Sequence, residues 1–296
     1  MSSRRHFNPW AFILPGIIAG GVVLGFPVAQ AFWTSLHRLR MYRLHDQVFV
    51  GLDNYVRLLQ DPLFHLSVRS TIVFSIGCTV LSVIAGLAVA SVMSTRGIRG
   101  TSAARFFMAF YLVPFVATQV VVGMMGRLYV WEPEYGLVNF ILGLFGADGP
   151  MWLISRDTAM WATVVTNAWR LTPLAVLIFY AALATVPEEL LESAEVDGAG
   201  GWRALAMIKL PLIRYHIGFV ALIQLTSAFR EFDTVFALTG GGPARVTNVL
   251  SLLVYNEGIS NSDMGMANAI SFTMLIIVAI LSLVYMRFAR LGEMGN

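Results

Sequence analysis

Arg170, Arg230, Glu231 and Asp233 stand inside apolar runs, where a charge needs a reason. A charged side chain at membrane depth costs a few kcal/mol and therefore faces a cavity or a partner. Arg170 sits in Asn167-Ala168-Trp169-Arg170-Leu171-Thr172-Pro173. It either donates hydrogen bonds to a polar solute or bridges helices, since Pro173 frees a backbone carbonyl about one turn earlier. Arg230 and Glu231 are adjacent, and neighbours on a helix point about 100° apart. They do not simply neutralise each other, so one of them is expected to pair with another segment, with Arg127 and Glu231 as possible partners. Trp169, Phe229 and Phe232 lie close by in sequence and could stack on a solute, although aromatic residues in such segments more often pack.

Other chemistries find less support. Gly240, Gly241 and Gly242 invite a phosphate-loop reading, but that loop needs G-x4-G-K-[ST], and the only lysine is Lys209, preceded by Ile208. The chain is not expected to hydrolyse ATP by itself; the glycines read as a tight exit turn. His6, His37, His45, His65 and His216 form no metal-binding pair, and Cys78 is the only cysteine, which excludes an internal disulfide and a Cys-based zinc site. No nucleophile or metal constellation supports an intramembrane enzyme.

The elements that must hold these residues are membrane-length. With 57% hydrophobic and 12% charged residues and a mean hydropathy of +0.72, the chain is too apolar for a soluble domain of its length. A net charge of +3 does not indicate nucleic acid, because the arginines are spread between apolar runs and read as membrane-edge anchors. A spanning helix needs about 20 mostly apolar residues, and six segments qualify: 11–36, 70–93, 105–130, 159–185, 214–238 and 267–288. Pro15, Pro27, Pro114 and Pro173 interrupt them, which bundled membrane helices tolerate. Arg4 and Arg5 ahead of the first segment, in a run echoing a twin-arginine signal, and Ala29-Gln30-Ala31 at its end imitate a targeting peptide. The apolar run is longer than the usual signal-peptide core, so retention as a span is expected. With both termini cytoplasmic, the inner connections carry ten Arg or Lys against seven outside, a weak lean by the positive-inside rule.

One polar interruption, 187–212, looks structured. Pro187 suits the first position of a helix, and Glu188 and Glu189 suit its positive end. Leu190, Leu191 and Ala194 share one side, while Glu188, Glu192 and Glu195 form a stripe with no cation among them, which a basic partner surface would explain. Gly198, after Asp197, marks a left-handed stop. Trp202, Leu205, Ala206 and Ile208 then restart an apolar pattern that Pro211 ends. The expectation is helix, turn, helix.

The spacing Glu192-Ser193-Ala194, three residues, Gly198, nine residues, Ile208, one residue, Leu210-Pro211 resembles the EAA loop of ABC importer permeases, departing only at Ser193, where the family has Ala. Phe49-Val50-Gly51-Leu52-Asp53-Asn54-Tyr55, then Asp61-Pro62, resembles the outer loop of maltose-type sugar-importer permeases. Leu14-Pro15, Trp33-Thr34-Ser35-Leu36, and Asp233 leading into Leu238-Thr239-Gly240-Gly241-Gly242-Pro243 fit the same family, so the resemblance covers nearly the whole chain.

The resemblance implies an all-α polytopic membrane protein: one transmembrane domain over 1–296, six transmembrane helices and a cytoplasmic helix-turn-helix coupling loop at 187–212. It implies a bacterial or archaeal plasma (inner) membrane, a second homologous permease, two ATPase subunits that bind the ATP and Mg, and an extracellular or periplasmic solute-binding protein. This chain would hold no cofactor. Glu192, Ser193, Ala194, Asp197, Gly198, Ile208, Leu210 and Pro211 would couple to the ATPase. Asn167, Trp169, Arg170, Phe229, Arg230, Glu231 and Asp233 would line the solute path. The implied solute is a disaccharide or oligosaccharide, with a polyol or glycerol phosphate as alternatives. A secondary transporter or channel acting alone is the competing class, but no matched broken-helix repeat supports it.

Overall fold

The computed structural model describes residues 10–95, 97–199 and 201–293. The Arg4-Arg5 pair, Arg96 and the last residues lie outside the described residues, as does any reading of the amino terminus. Four helices are long and apolar enough to cross a membrane uninterrupted: Ile13–Ser35, Pro62–Met93, Arg156–Ala184 and Met264–Arg287. Two further stretches reach that length only as bent pairs, Ser102–Val116 with Gln119–Val130 at 96°, and Trp202–Leu212 with Arg214–Phe229 at 74°. That makes four spans, or six if each bent pair counts as one.

The chain divides into two compact units, one running to Asp61 and including Leu253–Ile276, the other comprising Pro62–Leu252 and the segment from Ile277. In the first unit α1 (Trp10–Gly20) passes through a π-turn at Gly21–Gly25 into α2 (Phe26–Ser35). Its described apolar side chains, such as Val23 and Leu24, are exposed, as lipid-facing residues should be. A hairpin follows that hydrophobic periodicity did not reveal: β1 (His37–Arg40) pairs antiparallel with β2 (Arg43–Phe49). The mixed polar sequence HRLR…RLHDQVF has no clean alternation, which is why the strands escaped notice.

The FVGLDNY stretch closes this unit. Gly51 takes a positive φ of 57°, and α3 (Asp53–Gln60) begins two residues later. Asn54, fully buried, donates from Nδ2 to the carbonyls of Ser35 at 2.8 Å and His37 at 3.0 Å. Tyr55 and Ser35 share a hydroxyl contact of 2.7 Å. This loop therefore fastens the C-terminal end of α2. Asn54→Ala should cost about 1–3 kcal/mol, because two buried carbonyls lose their donor; an unchanged unfolding temperature of the purified protein would contradict this.

In the second unit α4 (Pro62–Met93) begins eight residues before the expected apolar run, because Ser67, His65 and Arg69 extend the helix without extending its hydrophobicity. After α5 (Ser102–Tyr111) and α6 (Val113–Val116), α7 (Gln119–Met125) runs into a π-turn, and α8 (Leu137–Leu144) leads to α9 (Arg156–Ala184). The expected continuous helix over 105–130 is broken at Ala117-Thr118, both extended with ψ near 143°. Pro114 lacks the N–H that would tie this turn to the one before. The next elements are α10 (Glu188–Val196), α11 (Trp202–Ala204), α12 (Leu210–Leu212), α13 (Arg214–Phe229), α14 (Asp233–Leu238), α15 (Leu250–Tyr255) and α16 (Met264–Glu293).

Helix α9 is the core of the second unit. It is less apolar than α4 or α16 and yet the most buried of the long helices. This inversion is expected in lipid, where polar side chains turn inward and apolar ones face acyl chains. Small residues bring α4 close to it: a Cβ added at Gly86 would lie 2.6 Å from the Cβ of Ala175. Ala90 of α4 and Ala175, Val176 and Phe179 of α9 share one buried cluster with Ile213 and, from α13, Val220. Gly86→Val should therefore destabilise by about 1–3 kcal/mol through overpacking, read as a lowered unfolding temperature; no change would mean that the helices can separate freely.

Candidate functional site

The expected helix over 214–238 ends at Phe229 and restarts at Asp233, leaving 230–232 non-helical in the middle of an apolar run. This break organises the site. Glu231 is buried there, and its Oε1 accepts the N–H of Thr234 at 3.0 Å, capping the start of α14. Its Oε2 lies 2.7 Å from Arg170 Nη2, with both side chains almost fully buried. Ser251 Oγ donates to the Glu231 carbonyl at 2.5 Å.

Arg170 thus pairs with Glu231, and not with the backbone carbonyl that Pro173 frees. Its Nε and Nη2 also donate to Asn167 Oδ1, at 3.2 and 3.1 Å. Asn167 in turn donates to Cys78 Sγ at 3.5 Å, extending the network to α4. Residues three apart on a helix are neighbours, so Asn167 and Arg170 meet on one face of α9. Arg127, expected as a possible partner, is exposed and lies elsewhere, at a separate hollow of about 300 Å³ with Trp131, Glu132 and Leu153.

A cavity of about 400 Å³ opens beside the ion pair. Arg170, Leu171 and Leu174 line it from α9; Ser227, Arg230, Glu231, Phe232 and Asp233 from the broken helix; Phe115 and Gln119 from either side of the 117–118 break. Arg230 is exposed and donates from Nε to the Thr226 carbonyl at 3.2 Å. Of the solute-path candidates, Arg170, Arg230, Glu231 and Asp233 come together here. Asn167 stands behind Arg170, fully buried, and is not a lining residue. Trp169 is 47% exposed and is not among the lining residues, while Phe229 is 4% exposed and packs inside. Sequence reasoning missed Phe115, Gln119 and Ser227. The signal for the first two was the Pro114…Thr118-Gln119 interruption of an apolar run.

The glycine run does make a tight exit turn: Gly240 and Gly241 take φ of 59° and 90°. Thr247 Oγ1 donates to the Gly242 carbonyl at 2.7 Å, and the following loop is stitched to α4 by Asn248 to Ser67 Oγ at 2.8 Å and by Leu250 N–H to Thr71 Oγ1 at 2.8 Å.

The 187–212 stretch forms the expected helix, turn, helix. Pro187 occupies the N-cap position, with ψ 131°, one residue earlier than expected, and α10 begins at Glu188. Gly198 has φ 75°, and the N–H of Ala199 closes on the Ala194 carbonyl at 2.8 Å. Ala194 is buried and Leu191 packs on the α9 cluster, while Glu192, Ser193, Asp197 and Gly198 are exposed. Ile208 and Leu210 are half-buried and Pro211 is exposed. The acidic stripe does meet a cation: Arg99 lies 3.7 Å from Glu188 and donates to the Ala184 carbonyl at 3.3 Å. Val196, Trp202 and Met207 are 88%, 75% and 73% exposed, a concentration of apolar surface on a polar loop.

The profile of the family described as "binding-protein-dependent transport system inner membrane component" matches residues 79–293. The chain belongs to this family. It is the permease subunit of an ATP-driven importer, a multi-pass inner-membrane component. A "Trehalose/maltose transport system permease protein MalF" of Thermococcus litoralis is 32% identical to the permease over 281 residues, covering 95% of this chain and 93% of the relative. An "sn-glycerol-3-phosphate transport system permease protein UgpA" of Shigella flexneri is 31% identical over 290 residues, covering 97% and 95%. Among solved structures, a bacterial ABC transporter involved in the import of the acidic polysaccharide alginate has a chain that superposes with a TM-score of 0.75 at 21% identity, over 95% of the permease and 94% of that chain. That likeness establishes the fold.

Proposed function

We propose that this permease forms half of the translocation pathway of a carbohydrate importer, with a disaccharide or short oligosaccharide as solute. The carrying observation is the polar cavity at two helix breaks, where side chains from α9, α13 and the 117–118 bend converge inside apolar segments. Broken helices expose backbone and polar groups only where they line a cavity. The likeness to the trehalose/maltose permease supports a sugar, and that to the glycerol phosphate permease makes an anionic solute the second reading.

In this reading a second, similar permease completes the pathway and both termini are cytoplasmic. A solute-binding protein delivers from outside, and two ATPase subunits carry the ATP and Mg. The loop at 187–212 seats on an ATPase subunit: Glu192, Ser193 and Asp197 supply polar contacts, Gly198 the turn, and Ala194, Ile208, Leu210 and Pro211 the packing that transmits movement into α9 and α13. ATP shifts the equilibrium toward the outward-open state because the closed ATPase pair binds it better. ATPase activity is expected only in the assembly, raised by one sugar-loaded binding protein. Solute flux by this chain alone in lipid vesicles would overturn the proposal.

A further inference from the structure

We infer that the cavity selects uncharged solutes, because its two guanidinium groups, Arg170 and Arg230, are matched one for one by the carboxylates of Glu231 and Asp233. The inference rests on the carbohydrate reading above and goes beyond it by naming the charge class of the sugar.

Arg170 is already neutralised. Its Nη2 is 2.7 Å from Glu231, and Nε and Nη2 are held by Asn167, so only Nη1 is without an acceptor among the described residues. Glu231 has both oxygens engaged, one by Arg170 and one by the Thr234 N–H. Arg230 uses Nε on the Thr226 carbonyl, and its terminal nitrogens have no acceptor among the described residues. The carboxylate of Asp233 likewise has no donor among them, and it lines the same cavity. The remaining polar groups, Gln119 and Ser227, are neutral.

An entering phosphate or uronate would find no surplus cation on this subunit's wall of the cavity. Burying an anion is costly unless it is paired, and here the exposed Arg230 is offset by Asp233, whose carboxylate repels the incoming charge. Strong anion sites present an excess of guanidinium forks. A polyhydroxylated neutral molecule uses what is offered: hydroxyls donate to Asp233 and accept from Arg230 and Arg170 Nη1. Gln119 does both, and Phe115 supplies an apolar wall for C–H faces. Glu231 is on this argument a specificity-determining residue, since it cancels the charge of Arg170, the buried cation of this cavity.

The test uses the assembled transporter in lipid nanodiscs without its binding protein, which would otherwise filter solutes first. Binding of radiolabelled trehalose, maltose and maltotriose is compared with that of glycerol, sn-glycerol 3-phosphate and a short mannuronate oligosaccharide. At least one neutral sugar should bind about tenfold or more tighter than either anion. Asp233→Asn, which leaves the buried ion pair intact, should reduce that ratio about tenfold and make anion binding weaken with added salt. Glu231→Gln should act in the same direction. Arg170→Gln with Glu231→Gln, which removes a matched pair, should keep the preference. An unchanged ratio in Asp233→Asn would sink the inference. So would tightest binding of mannuronate, which leaves the carbohydrate reading standing, whereas tightest binding of glycerol phosphate, or of no probe at all, removes both. Tightest binding of glycerol would remove the carbohydrate reading and uphold the charge argument.

Discussion

Replacing Glu231 by Leu should destabilise the permease by about 3–5 kcal/mol, the cost of leaving a buried cation without its partner. Arg170 is 6% exposed and has no other carboxylate in contact among the described residues. The same change removes the cap on Thr234 and so loosens the start of α14. The double variant Arg170→Leu with Glu231→Leu should recover most of the loss, because a buried ion pair replaced on both sides by apolar groups is often neutral or stabilising. Thermal unfolding of the purified permease in nanodiscs reads both. A single variant within about 1 kcal/mol of the parent, in the range of an exposed pair, would show that water reaches the guanidinium and that the pair is not buried in membrane.

The second large effect is expected on coupling. Gly198 has φ 75°, and its N–H donates to the Glu195 carbonyl at 3.1 Å. Proline fixes φ near −65° and has no N–H, so Gly198→Pro removes both the turn and that bond. Helix α10 would remain, since it lies before the substitution, but the path from it to α13 would be redirected. ATPase activity that no longer responds to loaded binding protein is expected, with uptake lost and the assembly still co-purifying. Gly198→Ala keeps the N–H and costs about 1–2 kcal/mol for the left-handed conformation, so it should impair coupling less. Full coupled uptake by the proline variant would mean that the turn transmits nothing.

Both results depend on features of different legibility. The membrane class, the approximate segments and the helix-turn-helix at 187–212 with its Gly198 turn could be read from the chain, because each follows from local rules: apolar run length, helix-end chemistry and glycine's tolerance of positive φ. Residue contacts within one turn, such as Asn167 with Arg170, follow from the same periodicity.

The partner of Arg170 was not legible. Glu231 lies 61 residues away, and Arg127 was as plausible a candidate until packing placed it at another hollow. Nor did hydrophobicity settle the breaks at 117–118 and 230–232, because polar residues inside an apolar run also occur in a continuous helix, as Asn167 and Arg170 do in α9. The hairpin His37–Arg40 with Arg43–Phe49 was hidden for the converse reason, since its mixed residues carry no period. Membrane residence, the approximate span lengths and the helix-turn-helix at 187–212 were set by the sequence through short-range preferences. The cavity, its lining and its charge balance were decided by tertiary structure, because only the packing of α9 against the broken α13–α14 segment determines which buried charges share a neighbour.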